Sequence, residues 1–308
     1  MKCTQRLRKL LLVFHILNYC SSICGNNQME GHIVGGDYVD IEEYPHAACL
    51  AITCHKGYQS NSYKCGSSII NQHFTLTAAH CLHECDIRRS YIMISVGHHY
   101  LKKALKSSAN SFMIHEKYED QIIFPDIALV QLKTPLTLGS KVQRVALLKP
   151  NEVPNVSEGF VAGWGETEDK KGNNYLKHVR QPLWSRKNCT KFLGAELSLG
   201  QICAGFVKRK DYADQGDSGS ALVINRYIQI GIVSYKFVRR SPSILVYTDV
   251  SHFYNWITGH TRRMHCKHRQ HANENGIVDF EDDDYPTVNQ EDNLLFVAPK
   301  PTRVVSYG

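Results

Sequence analysis

Ala221-Leu222-Val223-Ile224-Asn225-Arg226-Tyr227-Ile228-Gln229-Ile230-Gly231-Ile232-Val233 holds two short runs rich in Ile and Val, broken at Asn225-Arg226. Runs of this length, β-branched and bounded by turn residues, read as strands. The same signature returns at His73–Thr77, Tyr91–Val96, Ile127–Leu132 and Phe160–Ala162. Between Ile33 and about Gly259 these runs do not alternate with long helical patterns, so a βαβ layout is excluded and an all-β domain is expected. A single helix is expected near the end of that domain. Ser251 can cap it, Phe253, Trp256 and Ile257 share one face, and Arg262 and Arg263 suit a C-terminal dipole.

The ends of the chain differ from its middle. Lys2, Arg6, Arg8 and Lys9 precede the apolar stretch Leu10–Leu17, which passes into Ser21 and Ser22. That stretch is too short to span a bilayer, which needs about 20 apolar residues. Basic start, apolar centre and small-residue exit describe a secretory signal over residues 1–24, followed by a short pro-segment over 25–32. Secretion agrees with the 11 cysteines, a number uncommon in reducing compartments outside metal and redox proteins. Cys3, Cys20 and Cys24 would leave with the leader, and Cys49, Cys54, Cys65, Cys81, Cys85, Cys189, Cys203 and Cys266 would remain. Asn155-Val156-Ser157 and Asn188-Cys189-Thr190 fit the glycosylation acceptor pattern. From about Thr261 onward, charge runs such as Glu281-Asp282-Asp283-Asp284 replace periodic apolar residues, so residues 261–308 are expected to be an acidic, disordered tail. The net charge of +7 reads as a solvated basic face, because no nucleic-acid motif accompanies it.

His80, Asp126 and Ser218 carry the chemistry. Acyl transfer needs a hydroxyl made nucleophilic by an imidazole, and a carboxylate that fixes the imidazole's tautomer and stabilises its cation. His80 follows a strand in Leu76-Thr77-Ala78-Ala79-His80-Cys81, Asp126 opens an apolar strand, and Ser218 sits in Gln215-Gly216-Asp217-Ser218-Gly219. The glycines allow a tight turn that exposes the hydroxyl and lets the N–H groups of Gly216 and Ser218 converge on an oxyanion.

Thr-Ala-Ala-His-Cys at 77–81, Asp-Ile-Ala-Leu at 126–129 and Gly-Asp-Ser-Gly at 216–219 occur in that order, with Ile33-Val34-Gly35-Gly36 before them. With these motifs the sequence resembles the chymotrypsin-like serine proteases over about residues 33–260. The resemblance implies two perpendicular six-stranded antiparallel β-barrels with a C-terminal helix, the triad lying in the cleft between them. It implies disulfides Cys65–Cys81 and Cys189–Cys203, and a pairing of Cys54 with Cys85 through neighbouring loops. It further implies activation by cleavage before Ile33, whose new ammonium pairs with Asp217, although His32 is not the basic residue a trypsin-like activator cuts after.

By the same resemblance the substrate pocket is formed by Tyr212, Ser234, Tyr235, Lys236 and Leu245. Tyr212 stands where an aspartate would select Lys or Arg, so specificity is not expected to be trypsin-like. Lys236 and Leu245 add bulk where glycines open the pocket. Ser220 and Ala221 replace a usual Gly-Pro beside the nucleophile, and no cysteine bridge braces the serine loop, since Asp214 and the region after Phe237 carry none. The expected activity is a secreted serine endopeptidase acting on protein or peptide substrates, open to protease inhibitors and monomeric. A catalytically silent homologue serving as a binding module is the alternative. No cofactor, metal, nucleic acid or membrane span is expected. A zinc site from His80, Cys81, His83, Glu84 and Cys85 lacks four ligands at tetrahedral reach once Cys81 is bridged.

Overall fold

The computed structural model describes residues 36–274, apart from 57, 87, 153–155, 166–173, 208–211, 237–240 and 242. The first strands are β1 (Asp37–Tyr38), β2 (Ala47–Lys56), β3 (Gln59–Ile69), β4 (Phe74–Thr77), β5 (Tyr91–Val96), β6 (Leu105–Ile114) and β7 (Ala128–Leu132). Side chains alternate along β5, where Ile92 and Ile94 point inward while Tyr91 is exposed. Strands β2, β3, β4, β7, β6 and β5 close in that order into an antiparallel barrel, with β7 buried throughout. Two of these strands, β3 and β6, are rich in Ser, Asn and Lys and lack the apolar runs seen elsewhere. They form because the register with β2 and with β7 supplies their backbone partners.

The second half adds β8 (Ala146–Leu147), β9 (Glu158–Gly163), β10 (Lys177–Trp184), β11 (Gln201–Gly205), β12 (Ala221–Ile224), β13 (Ile228–Lys236) and β14 (Ile244–Asp249). Strands β10, β11, β14, β13, β12 and β9 follow one another, and pairing of β9 with β10 closes a second six-stranded antiparallel barrel. To it β1 adds antiparallel against β10 and β8 parallel against β13. Leu50, Ile69, Phe74, Leu76 and Ile94 fill the first barrel and belong to a core that continues to Val223 and Ile232 of the second. Helix α1 (Arg186–Leu193) is capped by the hydroxyl of Ser185 and stops at Gly194, whose φ of 67° only glycine adopts readily.

Helix α2 runs from Tyr254 to Glu274. Phe253 and Ile257 are buried against the core and Trp256 packs beside them. Ser251 does not act as the expected cap, because its hydroxyl and N–H both donate to Asp249 Oδ1, at 2.7 and 2.9 Å, and that carboxylate orders the entry turn. The helix also passes residue 260, where the domain was expected to end, so Arg262 and Arg263 lie within it rather than at its terminus. Residues Thr261–Glu274 carry no proline or glycine, so nothing in the chain stops the hydrogen-bond ladder there. The expected leader, pro-segment and acidic run beyond residue 274 lie outside the described residues. Among the described residues no helix is long and apolar enough to cross a membrane.

Candidate active site

Strand β4 ends at Thr77 and a single 3-10 turn, Ala79–Cys81, carries His80 out of the barrel wall. A disulfide between Cys81 and Cys65 ties that turn to β3. Asp126 precedes β7, the strand paired with β4, so barrel closure brings the two residues together across 46 positions of sequence. The backbone N–H of His80 donates to Asp126 Oδ1 at 2.9 Å, and Nδ1 donates to Oδ2 at 2.8 Å. A carboxylate can only accept, so Nδ1 carries the proton and Nε2 is left with its lone pair. The Ser234 hydroxyl, on β13, donates to the same Oδ2, and Thr248 Oγ1 donates to the Asp126 carbonyl at 2.7 Å. Asp126 is 1% exposed. Burial opposes the imidazolium of His80, but the hydrogen bond and charge of Asp126, joined by Asp120, outweigh it and raise its pKa above 6.5.

Ser218 lies in the turn between β11 and β12. Its carbonyl accepts from Gly66 N at 2.7 Å and lies 3.6 Å from Cys81 Sγ, so the second barrel's loop is held beside the residue that follows His80. Gly219 N–H donates to Val233 O at 2.8 Å. Among the described residues, Gly216 N–H, Ser218 N–H and Ser218 Oγ have no hydrogen-bond partner, so the Ser218 hydroxyl is not bonded to His80 Nε2. Gly216 and Gly219 have φ of 89° and 85°. A Cβ on Gly219 would stand 2.2 Å from Thr77 Oγ1 and 2.5 Å from Gly66 O. Gly219→Ala is therefore expected to lower stability by about 2–3 kcal/mol through strain and overpacking, read as a lower urea midpoint; an unchanged midpoint would contradict this packing.

Ser220 packs under the turn. It is 2% exposed, and its Oγ fills the space a Cβ on Gly66 would need, at 1.8 Å. Asp217 is wholly buried, with Oδ1 accepting from Gly165 N at 2.8 Å and Oδ2 from Asp214 N at 3.0 Å. Burial pushes its carboxyl up to about 7 in spite of those two donors. Gly163 and Gly165 are needed beside it, since a Cβ on either would approach its oxygens within 2.4 Å. Ile33, the residue expected to pair with Asp217, lies outside the described residues.

The remaining expected pocket residues gather beyond Ser234. Lys236 Nζ is 2.6 Å from Asp214 Oδ1 and 4.7 Å from the centre of the Tyr212 ring. Tyr235 OH accepts from Gln201 Nε2 at 3.2 Å, and Leu245, 2% exposed, packs inside the second barrel with Ala213 and Tyr247. The Asp214–Lys236 ion pair joins the two segments that lack the bracing cysteines. Opposite charges at those places in the chain were the available signal. Disulfides join Cys54 to Cys85 and Cys189 to Cys203 as well, but Cys54 sits inside strand β2, not in a loop. Cys49 is a buried free thiol, pushed up to about 12 by burial. No cluster of His, Cys, Asp and Glu among the described residues could hold a metal ion.

Two clefts flank these groups and were not legible in the sequence. One, of ≈ 390 Å³, is lined by His80, Tyr63, His83, Glu84 and Asp120. The other, of ≈ 490 Å³, runs past Gly216 and Gln215 between Trp164 and Lys64. The first is lined by the first barrel alone, and the second joins strands β2 and β3 to the second barrel's segments at Trp164 and Gln215-Gly216, a juxtaposition that no local pattern identifies.

A model of the trypsin family matches residues 33–257. Hypodermin-B of Hypoderma lineatum is 33% identical over 241 residues, covering 75% of this chain and 88% of the relative. Cathepsin G of Mus musculus is 31% identical over 250 residues, covering 79% of this chain and 90% of the relative. The solved structure of HL collagenase matches with a TM-score of 0.66 at 21% identity, covering 74% of this chain and 98% of that one, a likeness of fold.

Proposed function

This chain belongs to the trypsin family of serine proteases, and from that premise we propose that it is a secreted endopeptidase working through Ser218, His80 and Asp126. Ser218 Oγ attacks the peptide carbonyl while its proton passes to His80 Nε2. The N–H groups of Gly216 and Ser218 receive the oxyanion. His80 then gives the proton to the leaving amine, and water repeats the sequence to release the acyl group from Ser218. The observation that carries this reading is the double hydrogen bond from His80 to buried Asp126, which leaves Nε2 as the base. Since the base must be neutral, activity falls as pH drops through the raised pKa of His80.

The disulfides suit an oxidising, extracellular compartment. The chain is made as a zymogen in which cleavage after His32 frees Ile33 to neutralise Asp217, a wholly buried carboxyl on which Lys236 acts only through space, its ammonium being paired with Asp214. Tyr212 at the pocket floor supports a specificity other than trypsin's.

The test is to replace His32 with an engineered cleavage site, generate the Ile33 terminus and treat with a fluorophosphonate probe. Labelling of the cleaved chain that disappears in Ser218→Ala is the expected result. A correctly cleaved chain that takes no label would overturn the enzymatic reading in favour of a silent binding module.

A further inference from the structure

Lys236 leaves β13 two residues after Ser234, whose hydroxyl touches Asp126. Its ammonium ends between two residues of the segment leading to Ser218. It is 2.6 Å from the carboxylate of Asp214 and lies over the face of Tyr212, 4.7 Å from the ring centre. Asp214 is held in place independently, since its Oδ1 also accepts from Gln215 N at 2.8 Å. Lys236 and Asp214 are 23% and 24% exposed, so the pair is shielded but reachable from solvent.

We propose that Lys236 is an internal occupant of the site that receives the substrate side chain preceding the scissile bond, and thereby determines specificity by excluding Lys and Arg there. This rests on the proposed function, in which Tyr212, Lys236 and Leu245 form that site. A carboxylate paired with an aromatic face is the chemistry that binds an ammonium or guanidinium. Here the chain supplies the cation itself. Because it is tethered, its local concentration is high, on the order of millimolar or more, and a substrate cation must displace it before reaching Asp214. A second cation entering without displacement would meet like charge at short range. Leu245, paired with Lys236 across the β13–β14 ladder, and Tyr212 limit the depth of the site, so small uncharged side chains are what the intact chain admits. Shortening Lys236 leaves Asp214 partly shielded and without its counter-ion, which turns an excluded cation into a favoured one.

The experiment compares the processed chain with Lys236→Ala, Lys236→Ser and the double variant Lys236→Ala with Asp214→Asn, each checked for cooperative urea unfolding. The probe is p-aminobenzamidine, an amidinium on an aromatic ring, followed by its fluorescence. Lys236→Ala and Lys236→Ser are expected to bind it about tenfold more tightly than the parent, and Asp214→Asn to reverse the gain. A peptide library should show cleavage after Lys and Arg rising in the single variants. Equal affinity of parent and single variants, or tight binding that survives Asp214→Asn, would overturn the proposal. Fluorophosphonate labelling of Ser218 is scored separately. Amidine binding that shifts in unlabelled protein would sink the catalytic reading while upholding this one.

Discussion

Asp126→Asn is expected to lower kcat by about 10⁴-fold, the general magnitude for this change in a Ser-His-Asp arrangement, or about 5 kcal/mol of transition-state stabilisation. Asp126 Oδ1 takes the His80 backbone N–H, while Oδ2 takes the Nδ1 proton and the Ser234 hydroxyl. An asparagine can satisfy the first of these with its carbonyl. Its NH₂ then faces Nδ1 and can only donate, so the ring proton moves to Nε2 and the lone pair that should receive the Ser218 proton is lost. The fold should survive, because Ser234 can turn to accept from the new NH₂ and the Thr248 bond to the Asp126 carbonyl is untouched. The measurements are the rate of fluorophosphonate labelling of the processed chain and its circular dichroism. A loss of less than tenfold with native circular dichroism would mean that Asp126 does not set the tautomer.

The second large effect concerns Asp217 in the chain before cleavage. Its folded-state pKa is raised from 3.8 to about 7, chiefly by burial. As pH rises above about 4, the unfolded chain releases this proton while the folded chain keeps it, so the folded state loses stability across the window and levels off near pH 7. Across that window the loss is on the order of 4 kcal/mol. The urea midpoint of the uncleaved chain should therefore fall between pH 4 and 7. Asp217→Asn should lose that slope, since the amide is never ionised, and it can still accept from Gly165 while its NH₂ gives up the bond from Asp214 N–H. Titrating groups remote from Asp217 are common to both proteins and cancel in the difference. Cleavage before Ile33 should flatten the slope as well, by supplying an ammonium. Parallel slopes in the parent and Asp217→Asn would show that this carboxyl is not the group responsible.

The reading of single segments carried most of the fold. Short β-branched runs at Tyr91–Val96 and Ala221–Ile224 are strands with those bounds, because apolar alternation is a local property that burial then rewards. Strands β3 and β6 were not visible in that way, since Ser, Asn and Lys dominate them and their pairing partners lie elsewhere. The helix face of Phe253, Trp256 and Ile257 was legible, whereas the entry turn held by Asp249 and the extension to Glu274 were not. Which of several nearby oxygens a turn presents to its N–H groups depends on the backbone path, and composition alone does not rank them.

The site divides along the same line. His80, Asp126, Ser218 and their glycines each stand in a local context that states a chemical capacity, and their order along the chain marked the family. That Ser234 stands beside the Asp126 carboxylate was implied by the resemblance, whereas that Ser220 fits over Gly66 and that Lys236 closes on Asp214 were decided by closure and docking of two barrels. Which chemistries the chain possesses, and the element that carries each, can be read from the order of its residues. Which groups touch was left to the tertiary structure, because hydrogen bonds and ion pairs act over a few ångströms, and the register that brings residues 108 positions apart to that distance is a property of the whole packed sheet.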